Sequence, residues 1–313
     1  MSMTTTEVKT TSHTYHAKAE ALSGHLKLPV DQKILAQAPT LLNTTRDSHT
    51  FQRADKFNLE GLITVQSAYT HVSGNISSKD DRNHGWVTLA TSVLEGLNVI
   101  NVITADRVVS QVSTDHPRIN GHVPHVTFLG TQFENLRVSG YPVDVELDYS
   151  VCGPRPEDET PYTQSSSFMK RVQQHCERIA GAGELPKKLR DQYQSNLQLL
   201  EKIKSNGNGA GANKRKANDP AETRERTDER WGDTEDDSPR VKCTLVKHIS
   251  SIPIATSVGN VLFIPGFGTV HLASIEVSQN NYFTLTMLQI EMGCIGTGTV
   301  SGAKAAVNGH TYP

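Results

Sequence analysis

The chain has 313 residues, with 31 Lys and Arg against 33 Asp and Glu, giving a formal charge of −2 at pH 7. That length fits two domains or one large all-β domain, and the near-neutral charge argues against broad nucleic-acid binding, which needs a cationic surplus to displace counterions. No apolar run approaches the roughly 18 residues of a membrane helix, so no membrane span is expected.

Residues 1–12 are polar and Thr-rich and read as a disordered tail. They lack the apolar stretch of a secretory signal, so a cytoplasmic location is expected if Met1 is the true start; the alternative is an extracellular protein exported by a non-classical route. Tyr15–Val30 places Ala17, Ala19, Ala21, Leu26 and Leu28 among polar residues and is a strand candidate. Pro39 to Lys56 reads as a polar loop. Phe57–Val72, Trp86–Val99 and Val99–Val112 are rich in Val, Ile, Leu and Thr and are punctuated by Gly and Asn. Val123–Leu129, Leu136–Val138 and Val143–Val151 continue the series. In the last of these, Val143, Val145, Leu147 and Tyr149 alternate with Asp144, Glu146, Asp148 and Ser150, giving one apolar and one acidic face.

The pattern changes at Cys152. Gly153-Pro154-Arg155-Pro156 ends the strand, because proline cannot donate to a ladder. Phe168, Val172, Cys176 and Ile179 recur at helical spacing. Gly181-Ala182-Gly183 breaks that helix, and Pro186 suits the start of a second one carrying Leu189, Tyr193, Leu197 and Leu200. From Ser205 to Arg240 an Asn/Gly/Ala run leads into mixed charge, the composition of a disordered linker.

Strand patterning resumes at Val241. Val261–Ile264 is a continuous apolar run, and Pro265-Gly266-Phe267-Gly268 is a turn signal. Phe283, Leu285 and Met287 alternate, then Leu288, Ile290 and Met292 alternate in the opposite phase, as a β-bulge would produce. Gly293 to Pro313 is rich in Gly and Ala and is expected to be loosely held or completed by a partner.

The expected fold is therefore mainly β: an antiparallel sandwich or barrel-like domain interrupted by a helical hairpin and a low-complexity insertion. The expected organisation is a tail at 1–12 and one discontinuous β-domain at 13–151 plus 241–300. The helical insertion takes 152–205, the linker 206–240, and a C-terminal tail 301–313.

Three stretches resemble choice-of-anchor P β-domains of bacterial surface proteins. They are Leu94–Val108 around Thr104-Ala105-Asp106, Phe133–Val143 with Leu136-Arg137-Val138-Ser139-Gly140-Tyr141-Pro142-Val143, and Val261–Val270 with Ile264-Pro265-Gly266-Phe267-Gly268, which leads on to Phe283–Ile290. The chain also resembles uncharacterised β-rich proteins of soil bacteria, acidobacteria among them. The resemblance covers about half the chain and implies a β-domain fold, with Val143–Val151 and Val241–Val246 neighbouring in one domain; it implies no chemistry.

His122-Val123-Pro124-His125 and His13-Thr14-Tyr15-His16 share a spacing that could hold a metal on a helix, but positions i and i+3 of a strand face opposite sides. Asp144, Glu146 and Asp148 are a weak calcium candidate, read first as a solvated face. Asp115 and His116 have no Gly-x-Ser-x-Gly elbow to accompany them, and no phosphate loop is present around Gly207–Lys216. No metal and no cofactor is expected. Trp86, Tyr141 and Phe267, with Tyr69, could stack on sugars or apolar ligands, or simply pack. Cys243 and Cys294 could bridge if their strands are antiparallel neighbours, and Cys176 reads as packing. No Cys-x-x-Cys pair marks a zinc site.

With no catalytic signature, the sequence favours a non-enzymatic structural protein. It would self-assemble as a homo-oligomer or filament, through strand edges or exchanged terminal strands at Tyr15–Leu28 and Gly296–Val307. The alternative is a ligand-binding or adhesion module for carbohydrate or a surface, and the remote alternative is a hydrolase.

Overall fold

The computed structural model describes residues 12–29, 31–78, 85–118, 122–156, 160–207, 239–293 and 296–312. The segments read as a tail at 1–12 and a linker at 206–240 fall almost wholly outside them. The N-terminal part contributes β1 (Ser12–Leu28), β2 (Gln32–Gln37), β3 (Thr40–Thr44), β4 (Ser48–Ala54), β5 (Phe57–Leu59), β6 (Ile63–Val65) and β7 (Ser67–Ile76). Two long strands follow, β8 (Trp86–Val99) and β9 (Ile103–His116), then the short β10 (His125–Thr127), β11 (Gln132–Glu134), β12 (Arg137–Val138), β13 (Tyr141–Pro142) and β14 (Val145–Leu147). Helices α1 (Ser166–Ala180) and α2 (Lys187–Gly207) come next. The chain closes with β15 (Arg240–Thr244), β16 (Val246–Ile249), β17 (Thr256–Val258), β18 (Val261–Ile264), β19 (Gly268–Ser278), β20 (Phe283–Gly293) and β21 (Thr297–Tyr312).

These strands form two large antiparallel sheets that are not closed into a barrel. One runs β17-β18-β19-β20-β21-β1-β2, with β15 on β19 and β3 on β1. The other is built on β9-β8-β7-β4, with β6 and β5 beyond β8, and β10, β11, β12 and β13 along β9. A small pair, β14 with β16, joins the strand before the helices to the strand after them, which makes the two halves neighbours. Strands β1, β20 and β21 face β7, β8 and β9 across the core. No helix among the described residues is long and apolar enough to cross a membrane.

The polar stretch 39–56 is not a loop: it forms β3 and β4, which lie at the sheet margins. A marginal strand needs only one apolar face, and β3 supplies it by burying Leu42 while Leu41 stays exposed.

The described part of the C-terminal segment expected as a tail at 301–313, residues 301–312, is not loose either. As β21 it pairs with β20 on one side and β1 on the other, at the centre of its sheet. Its Gly and Ala content reflects close approach of the two sheets. A Cβ at Gly302 would stand 2.9 Å from Leu94 Cδ1, and Ala303 and Ala305 are fully buried. Gly74 on β7 serves the same end, since a Cβ there would stand 2.3 Å from the ring of Tyr15 on β1.

The change of phase in β20 is real, but no residue is inserted. Leu272 pairs Leu288 and Ser274 pairs Thr286, so the register is unbroken. On the strands to either side of β20, Ala273 of β19 and Ala303 of β21 adopt left-handed backbone at this level, with φ of 45° and 48°, whereas β20 itself has no positive φ. Each such residue turns the following side chains to the other face. All four central strands change phase at one level. Val270 and Leu272 are buried before it and Ile275 and Val277 after it; on β1, Ala17 and Ala19 precede and Leu22 and Leu26 follow. Backbone carbonyls near this level meet donors from the opposite sheet: Ser92 Oγ donates to Glu20 O at 2.8 Å and Ser110 Oγ to Leu285 O at 3.3 Å. A buried carbonyl left without a donor would cost about 1–3 kcal/mol.

Candidate functional site

The helical pair forms as the apolar spacing predicts. Helix α1 buries Phe168, Met169, Val172, Cys176 and Ile179, and α2 buries Leu189, Tyr193, Leu200 and Ile203. Two anchors fix the pair to the sandwich. Arg171 Nη1 donates to the carbonyls of Val151 at 2.6 Å and Ser150 at 2.9 Å. Tyr162, just before α1, sits edge-on to Phe283 and donates its hydroxyl to Pro124 O at 3.1 Å. Both helices contact β15 and thereby lie beside the outer face of β19 and β20.

Between helices and sheet is a cleft of about 360 Å³, lined by His175, Gln192, Tyr193, Asn196, Lys242 and Gln289, with His271, Glu276 and Glu291. Strand alternation explains the sheet side. Val270 and Leu272 point into the core, so His271 between them points out into the cleft, directly opposite Gln289 on β20. Tyr193 belongs to the apolar stripe of α2, yet its hydroxyl lies 3.4 Å from His271 Nδ1, with the rings nearly parallel. His175 meets the Tyr193 ring edge-on, with 5.8 Å between ring centres.

His271 is only 7 % exposed. Its Nε2 has no hydrogen-bond partner among the described residues, and the nearest carboxylate, Glu291 Oε1, is 4.0 Å away. Burial lowers the His271 pKa to about 4, with Lys242 adding to the effect. Burial also lowers His175 to about 4, helped by Arg178 and His271. Both imidazoles are therefore neutral at pH 7. On the rim, Glu276 is bridged by Lys242 at 3.2 Å and by Arg240 at 3.9 Å. Burial raises the Tyr193 hydroxyl and the Cys243 thiol, so neither is a ready nucleophile.

The residues singled out from the sequence lie elsewhere and apart. Trp86 opens β8 opposite His116, half-buried and stacked on His13 at 5.2 Å. Tyr141 is 43 % exposed beside β12, which pairs with the other end of β9. Phe267 is 5 % exposed and packs in its turn, so it offers no stacking face. Tyr69 accepts a hydrogen bond from Arg107 at 2.9 Å. His122 and His125 are both exposed, and His125 lies on β10. His13 is buried, while His16 turns to Tyr282. Asp115 and His116 are consecutive strand residues, so their side chains leave opposite faces.

The acidic stretch is regular only at β14. Glu146 is bridged by Lys247, and Asp148 accepts hydrogen bonds from the backbone and hydroxyl of Ser150. Asp144 is exposed, and its N–H bonds Ser250 Oγ. No group of three or more metal-binding side chains occurs among the described residues. Cys152, Cys176 and Cys243 are buried free thiols, and Cys294, the partner proposed for Cys243, lies outside the described residues.

The cleft residues escaped sequence reasoning. Tyr193 reads as one more core position, and a single His in a strand carries no spacing. The only signal is the polar His271 between Val270 and Leu272.

Residues 13–278 match a family described as a domain of unknown function, DUF8256. The chain belongs to that family. The matched region includes the helical pair, Tyr193 and His271, and it ends before Gln289 and Glu291 on β20. No curated protein and no solved structure matches the chain.

Proposed function

We propose that the chain is a non-enzymatic ligand-binding module whose site is the cleft between the helical pair and the outer face of β19 and β20. One observation carries this reading: the buried Nε2 of His271 faces a gap of 4.0 Å to Glu291 with no hydrogen-bond partner among the described residues. A buried polar atom left open costs stability, and such atoms collect where a bound group completes them. The raised thiol and phenol of the cleft favour binding over nucleophilic chemistry.

Self-assembly by exchanged terminal strands is the second reading. It draws on strands β1 and β21, which pair with each other along their length within one chain, so an exchange would make the same pairing between copies. The two readings separate by experiment. Light scattering coupled to size exclusion at high concentration should return a monomer. Histidine-detected NMR with a fragment mixture should shift the His271 signals. A concentration-dependent oligomer with unmoved His271 signals would favour assembly.

A further inference from the structure

We infer that the cleft takes a neutral, hydroxylated ligand, a mono- or disaccharide. The inference rests on the cleft being the binding site and adds the class of molecule it holds.

Charge narrows the choice from both sides. An anion entering the cleft meets Glu291, which faces only an uncharged imidazole, while Lys242 is already paired with Glu276. A cation meets Lys242, which already repels a proton from His271. A neutral ligand avoids both repulsions. The remaining lining is rich in side-chain amides: Gln192, Asn196 and Gln289. Each amide carries both a donor and an acceptor, which matches the two-way hydrogen bonding of a hydroxyl.

The buried end of the cleft makes the same demand. Tyr193 Oη lies 3.4 Å from His271 Nδ1, and the Glu291 carboxylate beside Nε2 favours the tautomer with its proton on Nε2, in which Nδ1 accepts from the tyrosine hydroxyl. A group seated between Nε2 and Glu291 Oε1 must accept from the first and donate to the second. A single hydroxyl oxygen does both at ~2.8 Å from each atom. A carboxylate has no proton to give and an ammonium has no lone pair to receive, while a phosphate, whose P–OH could do both, brings its negative charge against Glu291. The cleft volume of about 360 Å³ lies at the small end of ligand sites, which suits a short saccharide.

The test uses the full chain with labelled histidine side chains and three probe sets: neutral sugars (glucose, galactose, N-acetylglucosamine and maltose), putrescine as the cation, and inorganic phosphate as the anion. At least one sugar should shift the His271 signals saturably, while putrescine and phosphate leave them in place. Glu291→Gln should weaken that sugar at least tenfold, and Gln289→Ala opposite His271 should weaken it about threefold with melting temperature unchanged. Saturable shifts by putrescine or phosphate, with none by any sugar, overturn the ligand class and leave the binding site standing. No movement of His271 with any probe overturns both. Sugar binding that ignores both substitutions also overturns the inference, since the ligand then sits elsewhere.

Discussion

Asn260 and Leu272 hold each other by two hydrogen bonds: Asn260 Nδ2 donates to Leu272 O at 2.9 Å, and Leu272 N donates to Asn260 O at 2.9 Å. The pair sits one residue before Ala273, where β19 takes its left-handed step, and Asn260 Nδ2 also reaches Ser274 Oγ beyond it at 3.0 Å. Thr244 Oγ1 donates to Ala273 O from the other side, also at 3.0 Å. Asn260→Ala should therefore cost about 1–3 kcal/mol, the penalty for buried acceptors losing their donor. Asn260→Asp should cost more, because a carboxylate oxygen would face the Leu272 carbonyl. Urea denaturation of the three proteins checks the order; equal stability of Asn260 and Ala would show that Thr244 alone supports the step.

The left-handed alanines make a separate prediction. An L-residue in that region bears roughly 1–2 kcal/mol of steric cost that glycine does not. Ala303→Gly should thus be neutral or stabilise by up to about 1 kcal/mol, since glycine's extra chain entropy offsets part of the relief. Ala303→Val should destabilise by on the order of 2 kcal/mol or more, because a branched side chain fits neither this backbone nor a fully buried site. Ala273 should behave the same way. Thermal melts of the four variants decide it.

The sandwich and its helical insertion were legible in the sequence because alternation and helical spacing are local signals. Even the phase change at Met287–Leu288 could be seen, though its setting could not: β20 changes phase in an unbroken register, and the left-handed residues at that level, Ala273 and Ala303, lie on the strands to either side. What misled was composition. Gly and Ala in β21 resemble a loose tail until the opposite sheet is seen pressing on Gly302. Polar β3 and β4 resemble a loop until their marginal positions excuse them from burying two faces. The cleft was illegible because His175, Tyr193, His271 and Glu291 come from four separate elements and meet only through packing. The aromatics that stood out, Trp86, Tyr141 and Phe267, are scattered by the same packing.

The cysteines should be silent. Burial pushes the Cys152 thiol up to about 12 and Cys176 up to about 11, and holds Cys243 well above its ordinary value. Thiolate is the reactive form, so native protein should not label. In a Cys294→Ser background, a thiol-reactive chromogen should report no fast-reacting group before denaturant and three after it. In the unsubstituted chain, intact mass under non-reducing conditions tests a Cys243–Cys294 bridge; a mass 2 Da lower than the reduced protein, the loss of two hydrogens, would establish one disulfide.

Acid should weaken the fold through the cleft histidine. In the unfolded chain the His271 imidazole takes up a proton near its ordinary pKa of 6.5, whereas in the folded chain it does so only near 4. Between those values the unfolded state holds more protons, so stability falls as pH drops from 6.5 toward 4 and is fully retained above 6.5. One such group contributes at most about 1.4 kcal/mol per pH unit in that window. His175 acts in the same direction. Glu20, whose pKa burial raises, acts in the opposite one, so the total slope mixes several groups. The diagnostic is the difference between proteins. Urea midpoints at pH 7.5 and 5.0 should fall less in His271→Gln than in the parent, because the glutamine takes no proton in either state. Tyr193→Phe removes the Nδ1 partner and leaves the ring in place, so it should lower stability at both pH values while keeping most of the acid slope. Parallel acid losses in the parent and in His271→Gln would mean that the imidazole is solvated in the folded chain and that the cleft is not the desolvated site its geometry describes.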